Sequence, residues 1–318
     1  MGNPIYRPAA NVVEQVRTQV PGYYRVMIGD FEVTALYDGF LGIGTPIYQQ
    51  YSSKTVAELE DMIDAEFRPR LEDGSVNTSV TGYLVNTGRN LILLDAGTGN
   101  VFDDNLGRLP DSMRAAGYDP LQVDIIIPTH MHYDHFSGVT LNGQRVFPNA
   151  MIYLAEEEKT FWVDTPVEDI PEGSRKYVQW ARDAIRPYLE HDQVRYYRFG
   201  DEIIPGMRSR PTPGHTPGHN GIEFTSGGQT MLVWGDLMHN HAFQLADPSI
   251  AAEFDVNPEA ARESRIRAFP DIARRRIWVA GAHLPFPGIG HIRANENGSY
   301  SWIPVEYTPL DAKLGRTE

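Results

Sequence analysis

Three histidines and an aspartate fall within six residues of the segment PTHMHYDHFSG, residues 128–138. Neutral imidazole and carboxylate groups are ligands that zinc, manganese and iron accept. His130 and His132 lie two positions apart, so on extended backbone their side chains point the same way and can share one metal ion. Asp134 and His135 follow where the chain turns, and we expect them to face a second metal. A polar loop that collected these residues by chance is the less favoured interpretation.

Further ligands are expected where other apolar runs end. His215 and His219 lie in RPTPGHTPGHNG, a turn rich in proline and glycine that presents side chains rigidly. Asp236 and His283 each follow an apolar run, and a buried carboxylate without a partner is costly unless it bridges cations. His283 is preferred over His291 because it directly follows its run. Each of these residues alone is more often a hydrogen-bonded core residue, but together they indicate a metal centre.

Apolar runs and turns alternate along the chain in a way that predicts strands before helices. Buried strands are expected over residues 121–130 and 276–283, and hairpins over residues 24–39, 80–99 and 221–236. The pattern recurs in two roughly similar halves, which favours a two-sheet α/β sandwich over a doubly wound sheet. We expect residues 1–22 to form an N-terminal arm and residues 23–318 to form a single domain.

Helical spacing of apolar residues predicts three amphipathic helices, over residues 53–67, 174–189 and 257–276. In the first helix Ser53 is the expected N-cap. Its apolar stripe is expected to comprise Val56, Leu59, Ile63 and Phe67. The second helix should break or end near Pro187, because proline removes a backbone donor. The third helix begins with Asn257 as its expected N-cap.

The composition excludes several classes of function. The 318 residues include no cysteine, which rules out disulfides, thiolate catalysis and cysteine–zinc sites. There are 28 basic and 42 acidic side chains, a net charge of −14, which disfavours nucleic acid and anionic membranes as partners. The stretch MGNPIYRPAANVVEQVRTQV lacks the apolar core of a signal peptide, so a cytoplasmic or a periplasmic location is expected.

The combined motifs resemble those of the metallo-β-lactamase superfamily: H-x-H-x-D-H, then T-P-G-H-T-x-G-H, then a strand-terminal G-D and a late strand-terminal histidine. The resemblance covers most of the chain. It implies a four-layer αββα sandwich, with two mixed β-sheets flanked by helices and a binuclear site at one edge of the sheets. By this resemblance one metal is held by His130, His132 and His215, the other by Asp134, His135 and His283, and Asp236 bridges the two together with a hydroxide.

Two further segments, DAGTGNVFDDNLGRL and GAHLPFPGIGH, are similar to methyl parathion hydrolase and its lactonase and arylesterase relatives. This similarity implies hydrolysis of lactones or aryl esters, side activity on phosphotriesters, and a homodimer. Asp236 stands where the classical zinc β-lactamases have a cysteine ligand, which argues against penicillin hydrolysis.

The expected nucleophile is a hydroxide that bridges two divalent metals, because the metals lower the pKa of water towards ~7. We expect zinc, although manganese, cobalt and iron accept the same ligands. Asp134 and Asp236 are assigned catalytic roles, and Asp95 and His219 are expected to support the ligands from behind. The candidate walls of a pocket for small neutral esters, lactones or phosphotriesters are Phe102, Trp162, His239, Phe243 and Phe254.

Two alternative functions share this fold. A thioesterase of the hydroxyacylglutathione hydrolase type has the same T-P-G-H-T turn, but that family carries a C-terminal helical domain. The sequence after His291 predicts strand and coil instead. A non-catalytic binding protein is the other alternative, and we expect such a protein to have lost some of the seven ligands.

Overall fold

Two seven-stranded sheets form the centre of the computed structural model, which describes residues 13–310. The first sheet contains, in spatial order, β1 (Tyr23–Ile28), β2 (Phe31–Ile43), β3 (Val76–Asn86), β4 (Leu91–Leu94), β5 (Ile125–Ile127), β8 (Met151–Ala155) and β9 (Val194–Tyr197). A separate two-stranded ribbon consists of β6 (Thr140–Leu141) and β7 (Gln144–Arg145). The second sheet contains β10 (Glu202–Ile204), β11 (Met207–Pro211), β12 (Asn220–Ser226), β13 (Gln229–Val233), β14 (Trp278–Ala280), β15 (Ile289–Ala294) and β16 (Tyr300–Pro304).

Both sheets are mixed, and the three predicted hairpins are present. Strands β1 and β2, β3 and β4, and β12 and β13 pair antiparallel. The pairs β4–β5, β5–β8, β8–β9 and β13–β14 are parallel. In the first hairpin the turn falls at Gly29, whose φ of 58° suits glycine. The predicted two-sheet sandwich is therefore confirmed.

Helices cover the outer faces of the two sheets. They are α1 (Pro46–Gln49), α2 (Val56–Ala65), α3 (Leu109–Ala115), α4 (Tyr133–Phe136), α5 (Glu156–Glu158), α6 (Arg175–Leu189), α7 (His241–Gln244) and α8 (Pro258–Arg275). A π-helical segment, Lys159–Asp164, continues α5, and short 3₁₀ segments lie at Pro120–Gln122, Ser137–Val139, Val167–Asp169 and Glu172–Ser174. Helix α6 packs on the first sheet and α8 on the second, which gives the helix–sheet–sheet–helix layering that was expected.

Alternate side chains of the central strands pack on opposite faces of their sheet, one face against helices and the other against the second sheet. In β4, Leu93 packs under α6 whereas Ile92 and Leu94 face the second sheet. They meet Ile222 and Val233 there, and all five side chains are buried. Strands that are buried on both faces need apolar residues at every position, which explains the runs LILL and III.

Two details of α2 differ from the prediction. The N-cap of α2 is Thr55, not Ser53, because Thr55 and Glu58 form a reciprocal capping box. Phe67 lies beyond the helix with a φ of 51° and is 92% exposed, so it does not belong to the apolar stripe. The prediction for α6 is confirmed, because the helix ends at Leu189, two residues beyond Pro187.

The predicted arm is only partly described, because residues 1–12 lie outside the described residues, as do residues 311–318. Residues 13–22 contain no helix or strand. The assignment of residues 23–318 to one domain stays a prediction. Within residues 13–310, no helix combines the length and apolar character that crossing a bilayer requires.

A buried carboxylate fixes the loop between β4 and α3, which carries Phe102. Asp38 Oδ2 accepts hydrogen bonds from the backbone N–H of Thr98 at 3.0 Å and of Gly107 at 3.1 Å. Its Oδ1 accepts from Leu109 N at 3.0 Å. A Cβ at Gly97 would lie 2.4 Å from Asp38 Oδ1, so only glycine fits beside this carboxylate. The loop is thereby tied to the first sheet.

Replacing Asp38 with alanine is expected to lower the free energy of unfolding by about 3 kcal/mol, because three buried N–H groups lose their acceptor at ~1–3 kcal/mol each. Urea denaturation followed by circular dichroism measures the change. Asp104→Ala, an exposed carboxylate in the same loop, is the control and should stay within ~0.5 kcal/mol of the wild type. Equal effects of the two substitutions would refute the proposed role of Asp38.

Candidate metal centre

One edge of the sandwich collects side chains from the ends of five strands. Asp95 follows β4 and His130 lies shortly after β5, both in the first sheet. His215, Asp236 and His283 follow β11, β13 and β14 in the second sheet. Because parallel neighbours end at the same edge of a sheet, residues far apart in sequence meet at one place.

Three of the predicted ligands form a compact group of imidazoles. His132 Nδ1 lies 3.0 Å from His130 Nε2 and 2.7 Å from His215 Nε2. Asp236 Oδ2 is 3.7 Å from His130 Nε2 and 3.1 Å from His215 Nε2. These four residues can offer ligand atoms to one ion.

The other predicted ligands form a second group beside the first. His135 Nε2 lies 3.4 Å from His283 Nε2, and Asp134 Oδ2 is 3.5 Å from the former and 3.4 Å from the latter. Asp236 Oδ1 approaches the same two nitrogens at 3.0 and 3.2 Å. Asp236 Oδ1 therefore faces the second group, whereas Oδ2 contacts the first group and also lies 3.2 Å from His283 Nε2. The carboxylate thus stands between the two groups, as a bridging residue requires.

The hydrogen bonds behind the histidines orient their lone pairs inward. His215 Nδ1 donates to Asp255 Oδ1 at 2.8 Å, and His283 Nδ1 donates to the carbonyl oxygen of Ser79 at 2.8 Å. A carboxylate and a carbonyl can only accept, so each Nδ1 carries the proton and each Nε2 offers its lone pair to the centre.

The donor set fits divalent cations. Imidazole lone pairs and carboxylate oxygens converge within a few ångströms, and the buried Oδ1 of Asp236 has no hydrogen-bond donor among the described residues. Such an arrangement is repulsive unless positive charge lies between the groups. The nitrogen and oxygen ligands match the preferences of zinc and related divalent metals.

The electrostatics of the site point the same way. Burial lowers the pKa of His130 and of His132, and neighbouring histidines lower it further. Burial is the largest single effect and opposes charge on His135 and His283, but the carboxylates of Asp236 and Asp134 together outweigh it, with that of Asp95 adding to the effect on His135, and both pKa values are raised. Positive charge is therefore favoured around the bridging carboxylate, where the two groups meet.

The two residues predicted to support the ligands lie directly behind them. Asp95 Oδ2 accepts from His135 Nδ1 at 2.9 Å, and its Oδ1 accepts from Thr129 N at 2.7 Å. His219 is fully buried, and its Nε2 accepts from the backbone N–H of Asp236 at 2.9 Å. Both residues thus contact the candidate ligands or their backbone.

An aromatic-walled cavity of about 870 Å³ opens over the two groups. Of the predicted wall residues, Phe102, Trp162, His239 and Phe254 line it. Phe243 does not, which corrects the prediction: it is fully buried and packs edge-on against Tyr48 with ring centroids 4.6 Å apart. Phe243 lies on the side of α7 that packs against Leu59 and Ile63 of α2, and its ring therefore enters the core.

Sequence reasoning missed three residues of the site. Asp255 holds His215, and Glu158 accepts hydrogen bonds from both ligand segments. Tyr177 stacks on Tyr133 in the cavity wall at a centroid distance of 5.7 Å. Asp255 lies in a loop and Glu158 in a run of three glutamates, so neither showed a periodic signal.

Comparisons with known proteins agree with this architecture. A family model described as the metallo-beta-lactamase superfamily matches residues 77–283, more than half of the chain. An N-acyl homoserine lactonase of Bacillus thuringiensis is 26% identical over 198 residues, which cover 52% of this chain and 71% of that protein.

Two solved structures are similar over nearly the whole chain. The hydrolase AbOPH of the beta lactamase superfamily has a TM-score of 0.86 and 34% identity, with 92% of this chain and 100% of that chain covered. AidC, a dizinc quorum-quenching lactonase solved with its product N-hexanoyl-L-homoserine, has a TM-score of 0.82 and 25% identity, with 91% and 99% covered. On the family match and these likenesses, the chain belongs to the metallo-beta-lactamase superfamily.

Proposed function

We propose that this protein is a binuclear metal-dependent hydrolase that opens lactones, with N-acyl homoserine lactones as the first substrates to test. Aryl esters are a second proposed class, and phosphotriesters a side activity. The observation that carries the proposal is the position of Asp236, whose carboxylate lies between the two ligand groups beneath the cavity, with its oxygens 3.0–3.2 Å from histidine nitrogens of both groups.

The proposed metal ligands are His130, His132 and His215 for one ion, Asp134, His135 and His283 for the other, and Asp236 for both. A pair of divalent metals bound there would supply an activated water at neutral pH and a Lewis acid for the scissile carbonyl. Zinc is the proposed metal, because the ligands are nitrogen and oxygen atoms and AidC is a dizinc lactonase.

The side chains around the ligands position the substrate. His239 lines the cavity, and its Nε2–H donates to Asp236 Oδ2 at 3.0 Å. Burial lowers the pKa of His239 to about 4, so the ring is neutral at physiological pH. Phe254 packs against this ring with centroids 4.4 Å apart and holds it over the ligands. His239 therefore contributes a neutral side chain to the cavity wall, with its one N–H already donated to Asp236.

The cavity suits a neutral substrate with an apolar group. Phe102 and Tyr133 stack with ring centroids 4.6 Å apart, and they form an apolar wall for an acyl chain or an aryl ring. Among residues 13–310 no lysine or arginine lines the cavity, whereas Asp73, Asp169 and Glu253 lie exposed around it. This charge distribution disfavours anionic substrates.

Similarity to lactonases supports the choice of substrate. The Bacillus relatives are N-acyl homoserine lactonases, and AidC was solved with a homoserine product. After His291 the chain completes β15 and forms β16 of the second sheet, and a thioesterase is the alternative that the substrate panel distinguishes.

A panel of substrates tests the proposal. The zinc-loaded protein would be assayed with N-hexanoyl homoserine lactone, dihydrocoumarin, p-nitrophenyl acetate, methyl paraoxon and a glutathione thioester. We expect the highest kcat/KM for a lactone. A thioester that dominates the panel would favour the thioesterase, and no turnover of any ester by protein with bound metal would favour a binding protein.

Phe102→Ala is expected to raise KM for a long-chain acyl homoserine lactone about 10-fold with little change in kcat, since it removes apolar contact that the substrate makes before and during reaction. Steady-state kinetics with short and long acyl chains measure the effect on KM, which should be smaller for the shorter acyl chain. Phe67→Ala serves as the control, because Phe67 is 92% exposed outside the cavity. A drop in kcat with unchanged KM would contradict a wall role for Phe102.

A further inference from the structure

Glu158 is a fully buried carboxylate at the end of α5 that accepts four hydrogen bonds. Its Oε2 accepts from Met131 N and from Trp162 Nε1, each at 2.7 Å. Its Oε1 accepts from Gly218 N at 3.0 Å and from the hydroxyl of Thr216. Each oxygen thus accepts two hydrogen bonds, and all four donors are uncharged groups.

Three of the four donors lie in the two segments that supply the three-histidine group. Met131 stands between His130 and His132, so its N–H fixes the backbone on which both imidazoles are mounted. Thr216 and Gly218 belong to the turn that presents His215. Because these segments follow strands of different sheets, Glu158 joins the two sheets at the metal edge.

The fourth donor connects this junction to the substrate cavity. Trp162 lies one helical turn beyond Glu158, lines the cavity, and packs edge-on against His132 with centroids 5.2 Å apart. Its indole N–H has a donor role only, so the hydrogen bond to Glu158 fixes the tilt of the ring. One carboxylate therefore controls the ligand backbone and a wall of the cavity together.

The surroundings leave room for no other arrangement of this side chain. A Cβ at position 218 would lie 2.4 Å from Glu158 N and 2.8 Å from its Oε1, so glycine is required for the approach. Met131 N, Gly218 N and Trp162 Nε1 can only donate. A neutral amide in place of the carboxylate would turn its NH₂ group towards at least one of these donors.

We propose that Glu158 is a positioning residue that sets the geometry of the three-histidine metal site and couples it to Trp162. The inference rests on the proposed metal centre but not on the identity of the substrate. It assigns to Glu158 no contact with substrate or with the reacting atoms. Its consequence is selective: the affinity for one metal should depend on Glu158 far more than the affinity for the other.

Competition of metal-free protein with a chromophoric zinc chelator tests the proposal by giving two dissociation constants per chain. Glu158→Gln should weaken one of them about 10- to 100-fold, the range for outer-shell partners of metal ligands, and the other less than about threefold. Glu156→Gln is the matched control, because Glu156 lies on the same helix with an exposed side chain whose ion pair is with Arg198. It should leave both constants unchanged.

Thr216→Val provides a second variant in case Glu158→Gln does not fold. It removes one buried donor to Glu158 and should weaken the same single metal site, by a smaller factor. Equal weakening of both sites, or no weakening by a folded variant, would overturn the proposal. Since no substrate is used, a wild type that binds two metals but opens no lactone would refute the proposed function and leave this test intact.

Discussion

Asp236→Asn is expected to lower kcat/KM for lactone hydrolysis at least about 1,000-fold, which corresponds to roughly 4 kcal/mol of lost transition-state stabilisation. The two oxygens of Asp236 lie 3.0–3.2 Å from His135, His215 and His283. Asparagine keeps the shape of the side chain but replaces one of these oxygens by an NH₂ group, which cannot ligate a metal. We therefore expect the variant to lose the ligand shared by the two metals and to bind at least one of them more weakly.

The measurement is steady-state hydrolysis of N-hexanoyl homoserine lactone by zinc-reconstituted protein, with bound metal determined on the same samples. Asp111→Asn is the control, since its carboxylate is 85% exposed on α3 and forms an ion pair with Arg114 on the same helix. It should retain wild-type kinetics. An Asp236→Asn enzyme with more than about a tenth of the wild-type kcat/KM would contradict a bridging role.

Removal of metal by EDTA is expected to abolish hydrolysis and to lower the melting temperature by about 10 °C or more. Without cations, the buried carboxylates of Asp134 and Asp236 and the histidines around them lose the divalent charges on which their donor atoms converge. Each bound metal stabilises the folded state by mass action, at about 4 kcal/mol when its concentration is 1,000 times its dissociation constant. Differential scanning fluorimetry measures the shift.

Zinc-saturated EDTA is the control for this experiment, because it cannot extract metal and should change neither property. Added zinc should restore both activity and melting temperature. Full activity after exhaustive chelation would show that hydrolysis does not depend on the ligand cluster.

The residues that the structure brings together were predictable because their types and positions are both unusual. His130, Asp236 and His283 are polar side chains placed directly after apolar strands, where burial is costly without a partner. The three hairpins at 24–39, 80–99 and 221–236 were also predictable, since each consists of two apolar runs joined by a turn. Local pattern and burial were sufficient in these cases.

Residues that act across the fold could not be found in this way. Glu158 serves segments 27 and 60 positions away, and Asp255 reaches His215 across 40 positions. Nothing near either residue in the sequence marks those partners. Phe243 and Phe254 look alike as aromatic candidates, yet only the packing of α7 against α2 decides that Phe243 enters the core.

Oligomeric state and location stay predictions, namely a homodimer in the cytoplasm or periplasm. Neither alters the chemistry that is proposed for the site, because all seven candidate ligands come from one chain.

The number of metal ions that one chain binds is the most direct test of the proposed binuclear centre. Metal-free protein would be dialysed to equilibrium against zinc, and bound zinc would be measured by mass spectrometry against protein concentration. We expect two zinc ions per chain in the wild type. One ion or fewer per chain after full reconstitution would contradict the binuclear centre and the hydrolytic function built on it.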